Sequence, residues 1–451
     1  MRVRESIHAK ESPLPRSRRL RTIDSRGGRF ALSLTGFGAF LTLYAPQPLL
    51  PLFRQMFHAS EFQVSLTIST SVLAVALSAP VAGFVADHFG RKSVILAAMI
   101  GLSLTTAMVT TATTLSTLIA WRFLQGLFVP GILAVAMAYI SEESPAEPVG
   151  ATMATYVTGG VIGGFGGRFL TGLLAGPWGW DAGFLVLGIA TLVSALAVGT
   201  LLPPSRHFVR QHTAFLHVFA RHLRNPQLVA TYAVGFNVLL TIVATFTYVN
   251  FYLADQPFQL GSSALSAVFA VYLLGAAITP TAGRLIDRFG YRRALIGAVG
   301  VSGAGMLLTL VPKLPVIIAG LTLLASGVFA SQAAASIQVG RAARDGRSSA
   351  AGLYLTLYDL GGAIGSAVPG LVWSHLGVAR LRCLRAPDAG TYGGDCLHAV
   401  DRLAGMKRQV PPGLPNWASE EGPVRFPYTL SGVPVRSIEA GRIRSPKNFL
   451  P

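Results

Sequence analysis

The chain has 451 residues, of which 51% are hydrophobic and only 12% charged, and its mean hydropathy is +0.53. Soluble domains carry about 25% charged residues, so an ordinary water-soluble globule is excluded. The net charge of +18 does not mark a nucleic-acid binder: nine Lys/Arg crowd into residues 1–29, ahead of the first apolar run, where basic segments set topology or touch anionic lipid.

Apolar runs long enough to cross a bilayer recur from Phe30 to Leu376. In hydrocarbon only helices or closed barrels satisfy their backbone hydrogen bonds, and no strand pattern competes here. The expected fold is an all-α polytopic membrane protein. Eleven spans are predicted, at roughly 30–53, 63–86, 93–115, 117–140, 150–175, 182–202, 228–252, 263–284, 292–312, 315–338 and 349–374. Residues 1–29 form a basic arm without an apolar core, which does not read as a cleaved signal peptide. Residues 30–202 hold spans 1–6, residues 203–227 a linker, residues 228–376 spans 7–11 and residues 377–451 an atypical tail.

With the N-terminus inside, the inner side collects twenty-two Lys/Arg and the outer loops only Arg54 and Lys313. That asymmetry predicts a cytoplasmic N-terminus. The linker carries His207, His212, His217 and His222 at five-residue intervals, a spacing that suits solvated chain better than convergent metal ligands.

Two phrases occur twice. "GFVADHFGRKSV" from Gly83 returns as "GRLIDRFGYRRA" from Gly283, so that Asp87, Gly90, Arg91 and Lys92 in the first copy are answered by Asp287, Gly290, Arg292 and Arg293 in the second. "GATMATYVTGGVIGG" from Gly150 returns as "GLYLTLYDLGGAIGS" from Gly352. The offsets, 200 and 202, are nearly equal, which predicts two duplicated six-helix halves. Gly83 and Gly90 would permit a tight turn and close helix approach. Asp87 and the basic pair fall at helix ends, where a carboxylate caps N–H groups or meets a cation.

Charges inside the spans are few, and each needs a cavity or a partner. Arg122 lies in span 4 beside Gln125, and Arg168 lies in span 5 within "GGVIGGFGGRFLTG", a candidate for an anionic or polyol ligand. The small residues of that phrase also suit close helix packing. Asp359 is the one carboxylate well inside a span, suited to proton exchange or to a hydrogen bond with a neighbouring helix. Gln47, Asn250 and Tyr358, with Arg168, are candidate substrate contacts in an amphipathic pocket; a sugar would need more amides and carboxylates. No Walker phrase supports ATP-driven transport, and no nucleophile, metal or dinucleotide motif supports an enzyme or a cofactor.

The loop between spans 2 and 3 resembles the signature G-x-x-x-D-x-x-G-[RK] of the major facilitator superfamily, and "RFLQG" at Arg122 resembles that family's R-x-x-x-G phrase. The likeness spans about residues 30–376. "YAPQPLLP" at Tyr44–Pro51, "YVNFYL" at Tyr248–Leu253 and GG-x-x-GR in span 5 resemble bacterial inner-membrane permeases described as sugar- or arabinose-efflux-like. The resemblance implies a proton-coupled secondary transporter with alternating access, working as a monomer on a small molecule. It also implies a conformational latch at Gly83, Asp87, Gly90, Arg91 and Lys92, echoed at Gly283, Asp287, Gly290 and Arg292. Arg122 then serves either coupling or helix packing. Span 5 departs from the family's antiporter phrase, because Gly163–Gly164 lacks its proline. The alternative is a transporter-like sensor or scaffold, or an inactive truncated copy.

Residues 378–451 hold eleven Lys/Arg, nine Pro and both cysteines, Cys383 and Cys396, with no run able to span. They read as a disordered tail, either a divergent C-terminus or the product of a frame change near Gly377 that replaces a twelfth helix.

Overall fold

The computed structural model describes residues 23, 25–143, 149–205, 222–343 and 347–383. The described residues up to Arg382 belong to one compact unit. Three of the linker histidines, the basic arm up to residue 22, and residues 384–451 with the expected disorder and Cys396 lie outside the described residues.

Among the described residues the regular elements are helices. In chain order they are α1 (Arg26–Leu43), α2 (Leu50–Met56), α3 (Glu61–Phe89), α4 (Arg91–Met108), α5 (Leu115–Glu143), α6 (Val149–Ala175) and α7 (Trp180–Leu201). A second group follows: α8 (Pro226–Ala254), α9 (Ser262–Val268), α10 (Val271–Phe289), α11 (Tyr291–Leu308), α12 (Leu314–Ala342) and α13 (Arg347–Cys383). Local chemistry sets several boundaries. Ser60 and Gln63 form a reciprocal capping box at the start of α3, with bonds of 3.2 and 2.9 Å. Asn225 caps α8 through the backbone N–H of Gln227 and Leu228, with Pro226 at the first helical position. Gly90 (φ 86°) and Gly290 (φ 81°) are single-residue breaks at equivalent places in the two copies of the loop phrase, in a backbone region that disfavours any side chain.

Six helices are long and apolar enough to cross a bilayer by length and composition alone: α3, α4 with its following 3₁₀ turn, α5, α7, α8 and α12. Among the described residues the two spans at 30–53 and 263–284 differ from the expectation in their continuity: neither is one continuous helix. The first ends at Leu43, and the chain turns through Tyr44–Pro46 and a 3₁₀ helix at Gln47–Leu49 before α2 begins. Pro46, Pro48 and Pro51 each lack an N–H and crowd the preceding turn, which stops one long helix from forming. The second breaks at Phe269–Ala270, between α9 and α10, without proline or glycine at the break. The last helix also runs beyond the expected end near Gly377, to Cys383, although Pro369 lies within it.

In α6 and α13 the glycines do the packing. A Cβ added at Gly159, Gly163 or Gly167 of α6 would lie 2.0, 2.2 and 1.7 Å from the carbonyl oxygens of Ser33, Phe37 and Leu41 of α1. Spacing by four on both helices puts backbone directly on backbone. The second group repeats the device, with Gly361 and Gly365 of α13 meeting the carbonyls of Phe236 and Leu240 of α8 at 2.1 and 2.4 Å. Gly163→Val should therefore force α1 and α6 apart. Its expected result is loss of most of the protein from the membrane fraction, with a lowered melting temperature for the remainder in detergent.

Gly83 behaves differently from the sequence expectation. A Cβ there would meet nothing within 4 Å, so it makes no close helix approach in this conformation. Gly90 does supply the turn. Gly283 and Asp287 lie in α10 with side-chain surroundings outside the described residues.

Candidate functional site

The broken first span leaves backbone carbonyls inside the protein, and two side chains take them up. Arg122, fully buried in α5, donates from Nε to the Thr67 carbonyl and from Nη1 to the Thr42 carbonyl, each at 3.0 Å. It also bonds the Leu43 carbonyl and, at 2.5 Å, Gln125 Oε1. Gln125 passes the chain on to Thr106 Oγ1 of α4 at 2.7 Å. Thr171 of α6 donates to the Ala45 carbonyl at 2.8 Å. The carbonyls of Thr42, Leu43 and Ala45 at the break thus find side-chain donors, as buried backbone in a membrane protein requires. Arg122 is a tie between α1, α3 and α5, spent on carbonyls.

Arg168 of α6 is placed differently. It is 5% exposed, and its Nε donates to Gln47 Oε1 at 2.6 Å, while Nη1 bonds the carbonyl of Gly164 one turn back. Gln47 Nε2 in turn reaches Thr247 Oγ1 of α8 at 3.3 Å. Three rings face the guanidinium: Tyr44 at 4.8 Å, Phe269 at 5.1 Å and Tyr272 at 4.9 Å from its carbon to their centroids. Phe246 and Phe329 back Tyr272, with centroids 4.5 and 5.7 Å away. Among the described residues no carboxylate lies within ion-pairing distance of Arg168.

Asp359, half-buried in mid-α13, interacts electrostatically with Tyr44, Tyr354 and Tyr358. Tyr358 stacks on Tyr354, whose hydroxyl donates to Gln332 Oε1 at 2.7 Å. Of the four expected substrate contacts, then, Gln47 and Arg168 are joined directly and Tyr358 lies on the Asp359 side. Asn250, buried in α8, spends its amide N–H on the Phe246 carbonyl of its own helix at 2.5 Å. The sequence reading missed Phe269, Tyr272 and Thr247. Their partners lie about 100 to 200 positions away, and no local pattern announces such contacts.

Charged clusters mark both ends of the helices. At one end Arg91 bonds Asp87 at 2.6 Å and Glu142 at 2.8 and 3.1 Å, and Lys92 Nζ donates to the Leu202 carbonyl at 2.6 Å. All of these partners belong to the first group of helices. Arg292, in the second copy, is exposed. At the other end Arg54 joins Glu61 of α3 at 3.0 Å and Asp255, the residue after α8, at 2.6 Å, and lies 5.7 Å from the Phe251 ring. Hydrogen bonding to Asp255 raises the Arg54 pKa above its ordinary value against the pull of burial, so Arg54 stays charged. Four further contacts join the two groups on this side: Ser65 with Tyr248, Ser69 with the Ala363 carbonyl, Gln47 with Thr247, and Ser263 with the Gly172 carbonyl. Gly172 and Gly370 let the groups touch there, since added Cβ atoms would lie 2.3 Å from Ser266 Cβ and 2.8 Å from Phe62 Cα.

An all-helical bundle of two glycine-packed groups, with buried charges at their junction, defines a multi-pass membrane protein. The sequence matches the Major Facilitator Superfamily over residues 32–366, and the chain belongs to that family of membrane transporters. It is 33% identical over 353 residues to the inner membrane transport protein YnfM of Escherichia coli, covering 77% of this chain and 84% of that one. It is 31% identical over 172 residues to the multidrug resistance efflux pump PmrA of Streptococcus pneumoniae, covering 37% and 43%. The fold is similar to the crystal structure of a bacterial homologue of the human lysosomal transporter Spinster, in an inward-facing and unoccupied conformation. There the TM-score is 0.65 at 19% identity, covering 83% of this chain and 91% of that one.

Proposed function

We infer that the protein is a secondary transporter of the bacterial inner membrane that exports a small molecule by alternating access, in exchange for protons. The single observation that carries this reading is the seam at the Arg54 end. Five polar contacts draw the two groups of helices together there. On this reading the Arg54 end faces outward and is closed, and the N-terminus and the Arg91 end are cytoplasmic, in keeping with the Lys/Arg asymmetry. Residues 30–202 and 228–376 are the two rocking bodies, a pattern found in secondary transporters. The Arg91 cluster is the latch, with Asp87 exchanging partners when the cytoplasmic side closes. Export is favoured by the likeness to the pneumococcal pump, and Asp359 is the proton carrier. The protein works as a monomer in contact with lipid.

The seam is built to open. The Arg54 and Asp255 side chains are 21% and 44% exposed, and ion pairs that water reaches contribute only about 0–1 kcal/mol. Spin labels placed at Gln55 and Gln259, and separately at Phe89 and Phe289, test the reading in lipid nanodiscs. The expected result is two distance populations for each pair, moving in opposite senses: where the first pair lengthens, the second shortens. One fixed distance for each pair, in every lipid and at every pH tried, would instead favour a non-transporting sensor or scaffold.

A further inference from the structure

We propose that the ligand held at the junction of the two groups is an organic monoanion, a carboxylate on an apolar or aromatic body, bound through Arg168. This rests on the reading of that junction as the substrate site. The two buried arginines make the contrast that carries it. Arg122 directs four of its five N–H donors at three backbone carbonyls and Gln125 of its own bundle. Arg168 has five N–H groups and, among the described residues, bonds to two acceptors, Gln47 and the Gly164 carbonyl. A buried cation without a carboxylate partner is costly in a membrane protein, and an anion supplied by the ligand would complete it.

The surroundings narrow the class. Among the described residues Arg168 is the one buried cation at this junction, which suits one negative charge, and a dianion such as a phosphate monoester would lack a second there. The walls are rings: Tyr44, Phe269 and Tyr272 against the guanidinium, with Phe246 and Phe329 behind. Rings take an apolar body and offer few of the paired acceptors and donors that a neutral polyol needs. Tyr44 belongs to the first group and Phe269 and Tyr272 to the second, so a ligand at Arg168 would touch both bodies at once.

The full-length protein in lipid nanodiscs is titrated with benzoate against benzamide and with hexanoate against hexanamide, reading the melting temperature and the heat of binding. Each pair matches in shape and differs in charge. The expected result is saturable binding of at least one carboxylate, about tenfold or more tighter than its amide, because charge-assisted bonds to guanidinium are the stronger kind. Arg168→Gln should bring that carboxylate to the level of its amide, and Arg168→Lys should keep part of the preference. Equal binding of acid and amide, unchanged acid binding in Arg168→Gln, or no binding of any of the four overturns the proposal. The comparison of acid with amide needs no variant, so it stands even if Arg168→Gln fails to fold. The label distances test transport separately: acid-selective binding with immobile labels would defeat transport and leave the ligand class intact.

Discussion

Asp359→Asn should abolish proton-coupled movement of solute while leaving the folded protein in the membrane. The side chain lies mid-helix in α13, half-buried and in electrostatic reach of Tyr44, Tyr354 and Tyr358, and it is the carboxylate deepest within the described spans. A carboxyl group in such a place can take and release a proton during the cycle, whereas an amide of the same shape cannot. The measurement uses inverted vesicles energised by respiration, with an acridine dye reporting the proton gradient and a panel of organic solutes added in turn. Solutes that collapse the gradient with the wild-type protein should fall to the background of empty vesicles with Asp359→Asn. Persistence of the response would make Asp359 a structural group. Silence of the wild-type protein towards the whole panel would count for the non-transporting alternative.

Arg122→Leu should have an equally large effect of another kind. The variant strips away the four hydrogen bonds of the guanidinium, to the carbonyls of Thr42, Leu43 and Thr67 and to Gln125, which tie α1, α3 and α5 together. Bonds to a charged donor contribute about 1.5–3 kcal/mol each, and the total stability of a domain is only about 5–15 kcal/mol. The protein should fail to accumulate, or emerge from detergent extraction aggregated on size-exclusion chromatography. Arg122→Lys, which keeps one compact donor head but not the fork, should recover only part of the yield. The two roles open to this residue in the sequence separate cleanly here. A coupling residue would give a well-folded protein that no longer links solute to proton, while a tie gives too little protein to assay.

What the sequence disclosed depended on whether the relevant chemistry was local. The glycines of α6 and their echoes in α13 were readable because a four-residue spacing is itself the packing device. The loop phrase was readable because Gly90 and Gly290 must adopt a positive φ wherever the chain turns between two helices. Arg122, Arg168 and Asp359 stood out as charges in apolar runs. The break after Leu43 was spelled by three prolines, yet averaging hydropathy across 30–53 hid it. The break at Phe269 had no such mark. The rings around Arg168 and the pairing of Arg54 with Asp255 join positions about 100 to 200 apart, and such contacts leave no trace in periodicity.

The two glycine seams carry information unevenly between their partners. On α6 and α13 the side chain must be absent at Gly159, Gly163, Gly167, Gly361 and Gly365. On α1 and α8 the opposing surface is carbonyl oxygen, which every residue type supplies alike. Substitution at Ser33, Phe37, Leu41, Phe236 or Leu240 therefore leaves that contact chemically unchanged so long as the helix persists. The seam contact itself thus leaves those facing positions open to side chains suited to a new cargo, while its glycines, Gly36 of α1 among them, are pinned to a single amino acid.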